Sequence, residues 1–461
     1  MSDVFTMKKW WKFVLPIVLA VGLAFWLTDR WKAWFVMPAE PPYFPSGIPE
    51  RLLLTFADST GTDRQVSWRC DTVLRPSYVE LRSDDGTLKT YPAAGEIFRS
   101  RSGTGAYYVG RLNGLSPDRT YSYRVCTGGR MSGWHTFRTP AEEQSRFSFV
   151  YVGDIQDTLQ GQSNRYLREA FRRHPEAEFL VGGGDWSERP SDNYWAETFR
   201  SIDSVGQSLP VMNITGNHDY LKGIPLQLER RFSLIYSYFL RSMEGKNQVF
   251  SLKYGDAEFF LLDTNREPNY LWAQRRWLEE KLKDSSARWK ILVMHHPIHS
   301  IKSGANNLVQ KWMFNDLIHK YRVDLVLQGH EHAYARLAST EEDGGKATPV
   351  YTISHCSPKQ YRVDFDRPFD RIGIAGRYYQ KVTVTPDTLF LSAHEAVTGE
   401  LYDSLLLVKR PEGQPSRVVD AASHLPENMS FIPRPGKGKD ADYAANIRRY
   451  MASHPEKTFR Y

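Results

Sequence analysis

Seven residues of this chain combine donor chemistry with a recurring position: Asp154, Asp185, Asn217, His218, His295, His330 and His332 each follow the end of an apolar run. FSFVYV stops at Gly153-Asp154, EFLVGG leads to Gly184-Asp185, and LPVMNIT stops at Gly216-Asn217-His218-Asp219. WKILVM stops at His295-His296-Pro297, and VDLVLQ stops at Gly329-His330-Glu331-His332. Carboxylates, imidazoles and one amide suit hard-to-borderline divalent or trivalent ions, and there are more of them than one tetrahedral zinc needs. Two ions are implied, and ions sharing a carboxylate about 3.5 to 4 Å apart are the usual apparatus for in-line displacement at phosphorus. Glycine before Asp154, Asp185, Asn217 and His330 fits a backbone that must turn sharply and come close to metal or phosphate.

The elements that must position these groups are strands. In open α/β sheets ligands collect at the carboxyl ends of strands, so five such ends would bring the donors to one rim. From residue 146 to 410, β-branched and aromatic runs alternate with helix-period segments such as SNRYLREAFRRH and QRRWLEEKLKD, the pattern of an α/β domain. From 51 to 140, short alternating strands (LLLTF, RQVSWRC, YVELRS, AYYVGRL, TYSYRV, GWHTF) are separated by turn residues with no helical period, the pattern of an all-β sandwich. LSPDRTYSYRV resembles the tyrosine-corner strand of fibronectin type III domains, with Tyr121 at the corner and Trp68 in the core. Residues 38–50, PAEPPYFPSGIPE, read as an extended spacer, and residues 411–461 as a largely irregular tail with a short helix at ADYAANIRRYMAS.

Ahead of the spacer, Phe13 to Leu27 form an apolar run preceded by Lys8, Lys9 and Lys12 and flanked by tryptophans. The expectation is a transmembrane anchor over 13–31 with residues 1–12 cytoplasmic and the catalytic domain on the extracytoplasmic side; the alternative is a signal segment and a secreted or periplasmic protein. Lysine and arginine are spread along a chain of net charge +7, so nucleic acid is not an expected partner. The three cysteines lack metal-site spacing; Cys70 and Cys126 each close a strand-like run and could pair, although the period-2 pattern leaves Cys126 on the wrong face.

The ordered series GD, GGGD, GNHD, VMHHP and GHEHAYAR resembles the calcineurin-like metallophosphoesterase superfamily, and the fibronectin-like domain in front with the AYAR extension resembles its purple acid phosphatase branch. The resemblance implies a four-layer α/β/β/α catalytic domain and a dinuclear centre of iron, manganese or zinc. By motif, Asp154 and His332 would hold the first metal, Asp185 would bridge, and Asn217, His295 and His330 would hold the second. His218 would protonate the leaving group with Asp219 orienting it, metal-bound hydroxide being the nucleophile. Two positions depart from the pattern: Glu188 stands where purple enzymes have tyrosine, so a colourless protein is expected, and Gln156 stands where related enzymes have histidine.

The expected activity is acid-phosphatase-like hydrolysis of a phosphorylated small molecule. A phosphodiesterase with the same centre, and a surface-attached binding or adhesion protein with an inactive phosphatase-like domain, are the alternatives. His296, His299 and Lys302 could face substrate or merely line a polar loop. Tyr334 and Arg336 are expected to pack and pair behind the last motif, and 220–246 to form an amphipathic helix over the sheet or a lid.

Overall fold

Alternating apolar residues fold residues 50–138 into two antiparallel layers. Strands Glu50–Phe56, Arg64–Arg69 and Gly103–Leu112 form one, Ser77–Ser83, Thr120–Thr127 and His135–Arg138 the other, and the long strand Leu88–Ser100 passes between them. Leu54, Val66, Trp68 and Tyr108 meet Val79, Leu81, Tyr123 and Val125 between the layers. The Tyr121 hydroxyl accepts a hydrogen bond from the Ser116 N–H at 3.0 Å, the contact that defines a tyrosine corner. All three cysteines are free and buried. This description comes from a computed structural model that describes residues 4–58, 60–238, 243, 248–341, 344–411 and 413–461.

Beyond the sandwich, strands Phe147–Val152, Phe179–Gly182 and Val211–Asn213 pair in parallel, and Tyr378–Val384, Thr388–Glu395 and Leu401–Val408 extend them antiparallel. A second set, Ala257–Leu261, Trp289–Met294, Leu325–Gln328 and Lys346–Ile353, is also parallel and ends in the antiparallel strand Phe250–Tyr254. Phe147–Val152, Phe179–Gly182, Val211–Asn213 and Leu325–Gln328 are buried along their whole length because they are covered on both faces. The two sets face each other: the Phe259 ring lies 5.3 Å from Phe149 and 5.6 Å from Phe179. Helices Pro268–Asp284 and Leu308–Lys320 cover the outer face of the second set through Leu278, Leu282, Phe314 and Leu317, and helices Ser163–Arg173 and Asp192–Ser201 pack with the first. Parallel pairing brings the carboxyl ends within each set to one edge, where the donor residues sit.

The N-terminal expectation needs correction. Val4–Phe35 is a helix of 32 residues, but among the described residues no helix is long and apolar enough to cross a membrane. Its uninterrupted apolar run, Phe13 to Leu27, falls short of the roughly 20 residues a span requires. A transmembrane anchor at 13–31, and membrane attachment through it, is therefore not supported; residues 1–3 and the side chains of 4–13 lie outside what is described.

The Pro-rich segment after this helix packs between the two units. Glu40 forms a buried pair with Arg231 at 2.8 Å, the Tyr43 N–H donates to the Ser102 carbonyl at 3.0 Å, and the Tyr43 ring lies under Arg51 and Arg69. Residues 411–461 are more ordered than their composition suggests: strand Arg417–Asp420 joins the large sheet, and helix Gly438–Ser453 buries Tyr443, Ile447 and Tyr450. Over 220–246 the chain forms a small hairpin, Tyr220–Leu221 with Gln227–Leu228, then helix Arg230–Ile235; residues 239–242 and 244–247 lie outside the described part.

Candidate metal centre

Four donors converge at the rim between the two strand sets. The Asn217 amide oxygen lies 2.9 Å from His330 Nδ1 and 3.1 Å from His295 Nε2, those two nitrogens are 3.2 Å apart, and Asp185 Oδ2 is 3.4 Å from His295 Nε2. Among the described residues, Asp185, His295 and His330 form a group whose donor atoms all lie within 4.8 Å of one another. Asp154 and His332 pair beside it, with Oδ1 and Nε2 3.5 Å apart, and the His330 N–H donates to the other Asp154 oxygen at 2.7 Å.

The backbone takes on strain to aim these groups. Asp154, Asp185 and His330 have φ of +47°, +52° and +70°, a left-handed conformation that costs a non-glycine residue energy and that clusters at functional sites. Glycine is needed next to them for space: a Cβ at Gly216 would strike the Asp185 carboxylate, and one at Gly329 would strike that of Asp154. His295 Nδ1 donates to the Gly183 carbonyl at 2.9 Å and His332 Nδ1 to the Lys359 carbonyl at 3.2 Å, which turns the Nε2 of each ring toward the carboxylates.

The charges reinforce one another. Burial would raise the Asp185 carboxyl, but His295 and His218 hold it well below the usual carboxylate range. Burial would lower His295, yet the adjoining Asp185 raises it to about 9. Burial, His296 and His295 drive His330 far down, so its ring is neutral and offers a lone pair. A carboxylate, an imidazole that shares its proton and a neutral imidazole facing the same point make a set from which a metal ion displaces the proton. The remaining buried polar atoms fit the same reading: Asp154 Oδ1 and both side-chain polar atoms of Gln156 lack a hydrogen-bond partner inside a protein interior that rarely tolerates this.

His218 stands at the edge. Its N–H donates to Asp185 Oδ1 at 2.8 Å, and its Nδ1 lies 2.6 Å from the Glu188 carbonyl, which leaves Nε2 uncommitted, 3.9 Å from Asp185 Oδ2. Asp219 does not meet the ring. Its Oδ2 accepts the Gly216 N–H at 2.8 Å and closes the turn, and burial followed by the nearby Asp185 charge pushes its pKa well up. Glu188 turns away from the donors and grips Lys359 at 2.6 Å.

Of the further candidates, His296 lies against the centre. Its ring is 4.3 Å from that of His330, and burial and the adjacent His295 lower its pKa to about 3. His299 packs on Tyr351, 4.7 Å away. Lys302 places its ammonium 4.0 Å above the Tyr361 ring, which in turn stacks on His332. Tyr334 and Arg336 bind Asp403 at 2.7 Å behind the last motif. Sequence reasoning passed over Glu331: its carboxylate accepts from Ser300 Oγ, Asn307 Nδ2 and the N–H groups of Ile301 and Lys302, at 2.6 to 2.9 Å, and so ties down the loop after the histidine pair. A carboxylate between two histidines was the available signal.

Comparison with known proteins places two domains of the chain in known families. The calcineurin-like phosphoesterase profile matches residues 147–334, and the purple acid phosphatase N-terminal domain profile matches residues 49–139. The probable purple acid phosphatase 20 of Arabidopsis thaliana is 26% identical over 341 residues, covering 68% of this chain and 74% of its own. The acid phosphatase type 7 of Mus musculus is 26% identical over 339 residues, covering 64% of this chain and 72% of its own. The purple acid phosphatase PPD1 from yellow lupin seeds (Lupinus luteus) shares the fold with a TM-score of 0.66 at 17% identity, covering 79% of this chain and 75% of that one.

Proposed function

We propose that the chain, which carries a calcineurin-like phosphoesterase domain and a purple acid phosphatase N-terminal domain, hydrolyses phosphate monoesters at a dinuclear centre on the strand-end rim. The observation that carries this is the convergence of Asp185, Asn217, His295 and His330 on one point beside the Asp154–His332 pair. Asp185, Asn217, His295 and His330 would hold one ion; Asp154 and His332 would hold the other, with Asp185 shared. Such a pair of ions supplies Lewis acidity at the phosphoryl oxygens and an activated water. The chain's own residues do the rest. His218, fixed through Nδ1 by the Glu188 carbonyl, presents Nε2 to protonate the leaving oxygen. Gln156, buried without a partner, offers an amide to a water or a phosphoryl oxygen. With Glu188 held by Lys359 in place of a tyrosine, the loaded protein is colourless.

One preparation of the full chain tests this: metal analysis, followed by hydrolysis of p-nitrophenyl phosphate and bis-p-nitrophenyl phosphate. The expected result is about two ions per chain and faster turnover of the monoester, with loss of both metal and activity in Asp185→Ala. Preference for the diester would make the protein a phosphodiesterase. Bound metal without turnover of either ester would favour the binding-protein reading. We also place the enzyme outside the cytoplasm, secreted or periplasmic, on the strength of the basic-then-apolar start at Lys8 to Leu27; fractionation of tagged full chain tests that.

A further inference from the structure

A cavity of about 390 Å³ opens from the candidate centre, with Asn217 and His296 at its inner end. Asn217 belongs to the converging donors and the His296 ring touches that of His330, so a phosphoryl group held there would direct its ester substituent into this space. The walls are Leu226 from the hairpin, Pro268 and Leu271 from one helix, and Val309 from the next. Several polar groups around it are engaged by protein partners, while Asn265 Oδ1 has none. Tyr220 hydrogen-bonds Asp263, Asn265 Nδ2 donates to the Thr215 carbonyl at 2.9 Å, Arg266 pairs with Glu267 at 2.9 Å, and Gln310 Nε2 donates to the Thr264 carbonyl at 3.3 Å.

The apolar surface continues outward. Trp272 lies one turn after Pro268 and Trp312 one turn after Val309, and their rings meet edge to face at 5.1 Å. Trp312 is 65% exposed, Leu308 62% and Ile224 84%, an unusual concentration of large apolar side chains in water.

We infer that this cavity and its tryptophan rim bind the leaving group of the substrate, and that this group is an apolar chain or ring: the substrate is an amphiphilic phosphomonoester. The inference rests on the hydrolase reading above and adds the substrate class. Continuity with the donor cluster identifies the occupant, since the cavity shares Asn217 with it.

The test compares kcat/KM on the metal-loaded full chain for n-alkyl phosphates from ethyl to decyl, each below its micellar concentration, with p-nitrophenyl and glycerol 2-phosphate alongside. A buried methylene is worth up to about fourfold, so decyl phosphate should exceed ethyl phosphate by roughly a hundredfold or more. Val309→Asp and, separately, Trp312→Ser should each lower the decyl-to-ethyl ratio about tenfold. Calorimetric binding of decylphosphonate against ethylphosphonate reads the pocket without turnover. A flat alkyl series, or a ratio unmoved in both variants, overturns the inference while leaving the hydrolase intact. Tight decylphosphonate binding with no ester hydrolysed keeps the pocket and overturns the hydrolase.

Discussion

His218 and Asp219 are neighbours with different work. The imidazole is held by a backbone carbonyl, that of Glu188, and the Asp219 carboxyl accepts the Gly216 N–H in a fully buried turn that disfavours its charge. An asparagine fits that role, because it keeps an oxygen for the N–H and carries no charge. Asp219→Asn should therefore stay within about tenfold of wild-type kcat, whereas His218→Ala, which removes the proposed general acid, should lose about 10²- to 10⁴-fold. Steady-state kinetics on p-nitrophenyl phosphate check both; an Asp219→Asn loss as deep as that of His218→Ala would return the orienting role to the carboxylate. The donors were legible in sequence because a metal site needs particular side chains at strand ends, and those ends show as apolar runs. The partner of His218 was not, since every residue has a carbonyl and only the fold decides which one arrives. Glu331 escaped for a related reason: its four hydrogen bonds go to residues 300–307, brought near only by the packed loop.

Among the elements, the joint between sandwich and catalytic unit is built on charge. Asp192, at the start of helix Asp192–Ser201, accepts from Arg51 at 2.7 Å and Arg69 at 2.9 Å, both from sandwich strands, and from Ser102 at 3.1 Å. Arg231 sits 4.0 Å from the same carboxylate and binds Glu40 from the Pro-rich segment. Despite burial, the Arg51, Arg69 and Arg231 guanidiniums hold Asp192 below the usual carboxylate range. Removing a buried charge strands its partners, so Asp192→Ala should cost about 3 to 5 kcal/mol, seen as a lowered urea midpoint. A change under about 1 kcal/mol would mean that water replaces the carboxylate. Strand alternation made six sandwich strands readable but not the largely exposed Leu88–Ser100, which lacks it, and proline made 38–50 readable as extended chain. That Glu40 would be buried in it was beyond sequence, because an ion pair spanning 191 positions leaves no local pattern.

At the scale of the whole molecule, the facing sheets were legible through buried apolar runs and the family resemblance, while the N-terminal expectation failed because flanking tryptophans look alike around an anchor and around an apolar run too short to span. The histidines give the whole chain a pH limit. His174 lies among His394, Tyr379 and Lys381, and burial followed by the charges of His394 and Lys381 lowers it to about 4. His299, against Tyr351, is also lowered to about 4, by burial and then by Lys311 and His319. In the unfolded chain both take a proton near pH 6.5. Between about pH 4 and 6.5 the unfolded state thus binds more protons than the folded one, and stability rises with pH across that window. The contribution of these two residues is complete above pH 6.5 and is lost as pH falls toward 4, the range in which an acid phosphatase would be assayed. Each proton withheld steepens the dependence by up to about 1.4 kcal/mol per pH unit. Thermal midpoints from pH 4 to 7.5 should therefore fall steadily on acidification in the wild type, and His174→Gln with His299→Gln should flatten that fall. Parallel curves for wild type and double variant would show that both histidines accept protons in the folded protein as readily as in the unfolded one.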